Sequence, residues 1–187
     1  MKISAYLAGP DVFLPNAHDH ARRKVEICAR HGIAGRAPVG DAIPGVAGPP
    51  DAEAWLSIFR RCVAMMEACD VIIANLTPFR GPSADAGTLI EVGWFLGRGK
   101  PVFGYSNSAR PFAERSRLQT AALPDLTPGL AVEGFGLPDN LMIPGTLLDG
   151  GGHPLVMPED GRDHAFDALD IFERCVGMVA LRVRDST

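Results

Sequence analysis

Two rhythms of apolar residues alternate along the chain. The first is a short unbroken run closed by turn formers: ISAYLA at 3–8, DVIIANLT at 70–77 and PVFGYS at 101–106, the first ending on Gly9-Pro10. Runs of this length without polar alternation suit strands covered on both faces, as at the centre of a parallel sheet. The second rhythm is helical. Over 51–69, Trp55, Ile58, Phe59, Cys62, Val63, Met66 and Cys69 recur at helical spacing, with Asp51 in a capping position after Pro49-Pro50. Residues 18–31 read as a second helix and 163–181 as another, the latter through Phe166, Leu169, Phe172, Val176 and Val179. Strand, helix, strand, helix predicts an α/β fold: an open, doubly wound parallel sheet with helices on both faces.

Three segments resist both rhythms: 35–50, 119–145 and 147–155, all rich in Gly and Pro yet still carrying apolar residues. They read as ordered loops, and long loops in a compact domain are usually functional. In a parallel sheet the ligand crevice lies outside the carboxyl ends of the strands. Gly9-Pro10-Asp11, Thr77-Pro78-Phe79 and Ser106-Asn107 fall there. Asp11 is therefore a candidate ligand-facing acid or a plain turn residue, and Phe13 a candidate platform for a planar ring.

Composition narrows the class. A chain of 187 residues, 47% hydrophobic and 21% charged, suits one domain over 1–187. Its net charge is -4 and its basic residues are scattered, which gives no electrostatic footprint for nucleic acid. The apolar stretch before Gly9 is too short for a signal peptide, and no run approaches the ~18 apolar residues of a membrane span, so a cytoplasmic protein is expected. Cys28, Cys62, Cys69 and Cys175 form no CxxC pair and read as reduced, mostly buried thiols. His18 and His20 lack an apparent third ligand, so a solvated helix terminus is expected there instead of a metal site. Trp55 and Trp94 fit apolar helical faces and read as core or interface anchors.

The stretch GPSADAGTLIEVGWFLGRGKPVFGYS at 81–106 sets Asp85 and Glu91 in an otherwise small and apolar run. Leu89, Ile90, Trp94, Phe95 and Leu96 mark the apolar face of the helix it forms. Thr88-x-x-Glu91 fits a capping box, which would place Glu91 in the first turn, and Asp85 fits a cap or turn. A catalytic use competes with capping. Gly87 and Gly93 flank Glu91 where a ligand could approach the backbone, and Asp70 and Asp85 come from elements expected to converge near one sheet end.

YLAGPDVF at 6–13, CDVIIANLTPFRGPSADAGTLIEVGWFLGRGKPVFGYSN at 69–107 and GFGLPDNLMI at 134–143 together resemble the nucleoside 2-deoxyribosyltransferase family. The resemblance implies a flavodoxin-like sheet and exchange of the base of a 2'-deoxynucleoside for a free nucleobase by double displacement, without metal or organic cofactor. It assigns Glu91 as nucleophile, Tyr6 as the hydroxyl that orients it, and Asp70 and Asp85 as carboxyls near the base and sugar. It also implies that Asn140 of the DNLM stretch, with Met142 beside it, reaches a neighbouring subunit's site, so a homo-oligomer is expected.

Residue chemistry suits that reaction. Cleaving a deoxyribosyl C–N bond builds oxocarbenium character, which a carboxylate stabilises and then captures as an ester. A first-turn Glu91 would be held ionised by the helix dipole, and Asp70 or Asp85 would protonate the leaving base. Two alternatives rank lower. A 2'-deoxynucleoside 5'-monophosphate N-glycosidase would bring a phosphate against Asp85. A non-catalytic nucleotide- or flavin-binding module would need a phosphate-cradling loop where AGPDVFLPNA stands.

Overall fold

The three apolar runs become neighbouring strands of one parallel sheet in the computed structural model, which describes residues 2–39, 53–123 and 129–184. In chain order the elements are β1 (Ser4–Ala8), a 3-10 turn (Pro10–Phe13), α1 (Ala17–Arg30), β2 (Ala34–Arg36), α2 (Ala54–Glu67), β3 (Val71–Asn75), α3 (Ala86–Gly97), β4 (Val102–Tyr105), α4 (Phe112–Ala122), α5 (Met142–Gly151) and α6 (Asp170–Arg184). The sheet order is β2-β1-β3-β4, all parallel, which is the flavodoxin-like arrangement. A two-bond parallel bridge from Val156 extends it beyond β4.

Every residue of β1, β3 and β4 is buried, and alternate side chains feed two cores. Ala5, Leu7, Val71, Ile73, Phe103 and Tyr105 pack with α1 and α6, where Phe172, Cys175, Val176 and Val179 complete one layer. Tyr6, Ala8, Ile72, Ala74 and Val102 face the other way, against Met66 of α2, Val92 and Phe95 of α3, and Ile143 and Leu147 of α5. Cys28, Cys69 and Cys175 are buried and Cys62 half-buried, and all four are free thiols. Among the described residues no helix is long and apolar enough to cross a membrane.

Four sequence expectations need correction. β2 starts at Ala34 and runs into the stretch taken as a loop from residue 35: AGR has no apolar run, and only its pairing with Ser4, Ala5 and Tyr6 makes it a strand. The rest of that stretch from residue 40, and the Asp51 cap, lie outside the described residues; α2 starts at Ala54 behind Glu53.

The glycines of 147–155 do not make a loop. Gly150 and Gly151 sit in α5, where a Cβ on Gly151 would come within 1.9 Å of the Val102 carbonyl oxygen and one on Gly150 within 2.6 Å of Leu96. The missing side chains let helix and strand touch, and Gly152, at φ 71°, ends the helix in the left-handed region. Much of 163–169 is not helical, because Asn107 Nδ2 takes the carbonyls of Ala165, Phe166 and Ala168; α6 starts at Asp170. Finally, α3 buries Thr88, Val92 and Phe95, while Ile90 is 67% exposed, so its buried face is rotated from the one expected.

Gly151→Ala should therefore destabilise the fold by at least about 1–3 kcal/mol, since strand or helix must shift. Urea unfolding checks this, and an unchanged midpoint would show that the close approach is not needed.

Candidate active site

β1 projects Tyr6 from the middle of the sheet toward the helices α2 and α3. Its hydroxyl, wholly buried, donates to Glu91 Oε1 at 2.6 Å. Glu91 lies six positions after the α3 cap, in the second turn. The cap is Asp85, whose Oδ2 accepts from Thr88 N at 2.9 Å and Thr88 Oγ at 3.1 Å. The expected Thr88–Glu91 capping box is thus displaced by an Asp85–Thr88 cap. Gly87 fits beneath it, because a Cβ there would stand 3.1 Å from Asp85 Oδ2.

This shift in register reverses the electrostatic expectation for Glu91. No exposed helix terminus holds it ionised. Burial pushes its carboxyl up to about 7 from an ordinary 4.5, the Tyr6 hydrogen bond opposes that rise, and the nearby charge of Asp85 adds to it. Burial, with the Glu91 charge beside it, also drives the Tyr6 phenol well above its ordinary value, so Tyr6 remains a donor.

A cavity of about 520 Å³ opens over this pair. Glu91, Asp85, Gly87, Gly9 and Phe13 border it together with residues assigned to other roles or unremarked in the sequence, notably Ile58, Phe59, Cys62, Ile90 and Trp94. An apolar cavity wall and an apolar core have the same spacing on a helix, so periodicity alone could not separate them. Trp94 donates its indole N–H to Glu67 at the rim, and the Cys62 thiol adjoins the Tyr6 hydroxyl. Gly9 is required at its position: φ is 152°, and a Cβ would lie 2.7 Å from that of Asn75.

Other expected site residues fall elsewhere. Asp70 stands at the amino end of the sheet, where it accepts from Ser4 N at 2.8 Å and Ser4 Oγ at 2.7 Å. Those bonds hold its carboxyl below the usual range, and it takes no part in the cavity. Asp11 turns inward: it pairs with buried Lys24 at 2.6 Å and accepts from Asn75 Nδ2 at 2.7 Å, with His20 3.5 Å away. Burial alone would raise its pKa, but Lys24, His20 and Asn75 together bring it well below the usual carboxylate range. Asp11 therefore anchors the turn that carries Gly9 and Phe13 and does not border the cavity. His20 is buried beside it, away from solvent.

Asn140 Oδ1 accepts from Met142 N just ahead of α5, and its Nδ2 donates to Glu133. Neither Asn140 nor Met142 borders the cavity of its own chain, and Met142 is 67% exposed. Their loop is nevertheless tied to the site. Asp139 accepts from Ser83 Oγ at 2.5 Å and Ala84 N at 3.0 Å, and Arg115 bonds the carbonyls of Pro82 and Pro138. The turn that delivers Asp85 is clamped by these contacts.

Sheet order, helix placement and a half-buried carboxyl held by a buried tyrosine at a cavity define a flavodoxin-like α/β protein with an enzyme-like site. The chain matches the nucleoside 2-deoxyribosyltransferase family over residues 5–142 and belongs to it. It is similar to the 2-desoxiribosyltransferase from Leishmania mexicana, with 28% identity, a TM-score of 0.60, and 92% of this chain and 97% of that chain covered. A conserved protein from Enterococcus faecalis shares the fold at 20% identity and a TM-score of 0.56, over 96% of this chain and 99% of that one. An uncharacterized protein of Schizosaccharomyces pombe is 40% identical over 114 residues, which is 60% of this chain and 54% of that protein. The chain thus spans about half the length of that curated relative.

Because Glu91 binds its proton more tightly folded than unfolded, its contribution to stability is full below about pH 4.5 and is lost as pH rises through about 7. Glu91→Gln should accordingly stabilise the protein by about 2–3 kcal/mol near pH 8 and by almost nothing near pH 4. Denaturant titration at both pH values measures the difference, and equal gains at both would contradict the raised pKa.

Proposed function

We propose that this protein transfers the 2-deoxyribosyl group of a 2'-deoxynucleoside to a free nucleobase through an ester on Glu91. The observation that carries this is the cavity in which Glu91, oriented by Tyr6, and Asp85 stand on a mostly apolar wall that also carries Arg61 and Thr88. A Glu91 oxygen attacks the anomeric carbon on the face opposite the base. The C–N bond breaks, its electron pair leaves with the base, and the base takes up a proton. The incoming base then attacks the same carbon, the C–O bond to Glu91 breaks, and the base loses its proton. Two inversions retain the anomeric configuration.

Tyr6 stabilises the Glu91 carboxylate before attack and again as the ester cleaves. Asp85, with one oxygen turned to Thr88, is the carboxyl we assign to the leaving base or sugar hydroxyls. Asp70 is replaced in that role, since Ser4 holds it at the far end of the sheet. A carboxylate at 85 also disfavours a 5'-phosphate by Coulomb repulsion, which supports deoxynucleosides as substrates over their monophosphates.

Thymidine and adenine incubated with the protein should yield deoxyadenosine and thymine by chromatography. The rate should climb as pH rises through about 7, where Glu91 ionises. Glu91→Ala should abolish exchange with the fold retained by circular dichroism. Near-normal turnover in that variant, or faster cleavage of deoxyadenosine 5'-monophosphate with water alone as acceptor, would overturn the assignment.

We also propose a homo-oligomer in which Asn140 serves a neighbouring subunit. Phe135, Leu141 and Met142 are exposed around Asn140, and a chain acting alone would leave that apolar surface in water. Sedimentation should give more than one chain per particle, and a fully active monomer would refute the shared site.

A further inference from the structure

The sheet reverses its strand order between β1 and β3, and ligands of open α/β sheets gather outside the carboxyl ends at such a point. The Glu91 cavity is offset from that position toward α2 and α3. What fills the switch point is a second crevice of about 250 Å³, bordered by Pro10, Phe13, Leu14, Phe79 and Phe166. Phe13 and Phe79 stack at 5.5 Å between centroids and 14° between planes, and Phe166 tilts against Phe79 at 6.0 Å. Arg80 lays its guanidinium 4.7 Å from the Phe13 ring and 4.6 Å from that of Phe79. It does so from φ 55°, and it is the one non-glycine residue in that region of backbone space among the described residues. Across Phe166 the crevice adjoins a cavity of about 290 Å³ that includes Thr77, Asn107, Ser108 and His164.

We propose that this crevice is a second binding site, for a free planar heteroaromatic base, distinct from the cavity over Glu91. Its walls suit that chemistry. Three phenyl rings line it with apolar surface against which a flat ring can stack, and the polar groups of the adjoining cavity suit the ring's polar edge. No carboxylate or other polar side chain borders the crevice itself to demand a sugar or a charged group. Phe13 borders both spaces, so a base held here waits next to the reacting centre. Resting on the exchange chemistry proposed above, the crevice gathers the free base beside the cavity in which it will react, with Phe13 common to both.

Adenine alone, without a deoxynucleoside, should bind the wild-type protein in two events per chain by calorimetry or equilibrium dialysis. Removing one stacking wall costs a factor of roughly 5 to 150 in affinity. Phe166→Ala should weaken one event by such a factor and leave the other unchanged. Leu14→Trp, which fills the crevice instead of hollowing it, should abolish the same event. A single event in the wild type, or two events that neither substitution alters, would overturn the site. Because no donor is present, the outcome is independent of turnover. Two events, one of them sensitive to Phe166→Ala, in a protein that fails to exchange bases would support the crevice and sink the exchange reaction, and efficient exchange with one event would do the reverse.

Discussion

A single hydrogen bond sets the terms for the candidate site: the Tyr6 hydroxyl on the Glu91 carboxyl. Tyr6 is fixed by a strand buried on both faces, so its hydroxyl cannot retreat, and α3 must present a polar acceptor where its neighbours Val92 and Phe95 are sealed into the core. A carboxyl in such surroundings costs solvation free energy that one hydrogen bond only partly offsets. The fold holds a group there that is poised between its charged and neutral forms near neutral pH. Strain of this kind concentrates where chemistry is done.

The remaining parts of the structure keep that pair in place from two sides. Beneath the first turn, the buried Lys24–Asp11 pair and Asn75 fix the chain where it leaves β1, and so fix Gly9 and Phe13 at the cavity edge. Breaking one member of a buried pair leaves an uncompensated charge, which is why a turn so anchored does not drift. Beyond β3, Arg115 and Asp139 clasp the turn at Pro82–Ala84 and so determine where Asp85 starts α3. The apolar faces of α2 and α3 then enclose the space between, with Cys62, Ile90 and Trp94 as walls. Membership of the nucleoside 2-deoxyribosyltransferase family accords with this arrangement, in which two carboxyls have distinct partners: a buried phenol for Glu91 and a helix cap for Asp85.

The order of apolar runs and helical stripes was enough to establish a doubly wound parallel sheet, because central strands must be apolar on both faces and each covering helix must show one apolar stripe. Three motifs were enough to reach the family and to single out Glu91, Asp85 and Tyr6, strand ends and glycine spacing added Gly9, Phe13 and Gly87, and the fold brings all six to one place. Which end of the sheet each acid occupies was a different kind of question. Asp70 and Asp11 are both acids beside strands, yet one opens β3 at the amino end and the other turns inward to a lysine that follows it by half a helix. Register decided the state of Glu91: a cap at Asp85 instead of Thr88 moves the carboxyl from a helix terminus to a half-buried place in the second turn, at the cavity. Glycine at 150–151 reads as a turn until the approach of β4 shows why no side chain fits. Local pattern reports how a segment folds. Contacts between residues distant in sequence set burial and partners, and these decided that Glu91 is raised while Asp11 and Asp70 are lowered.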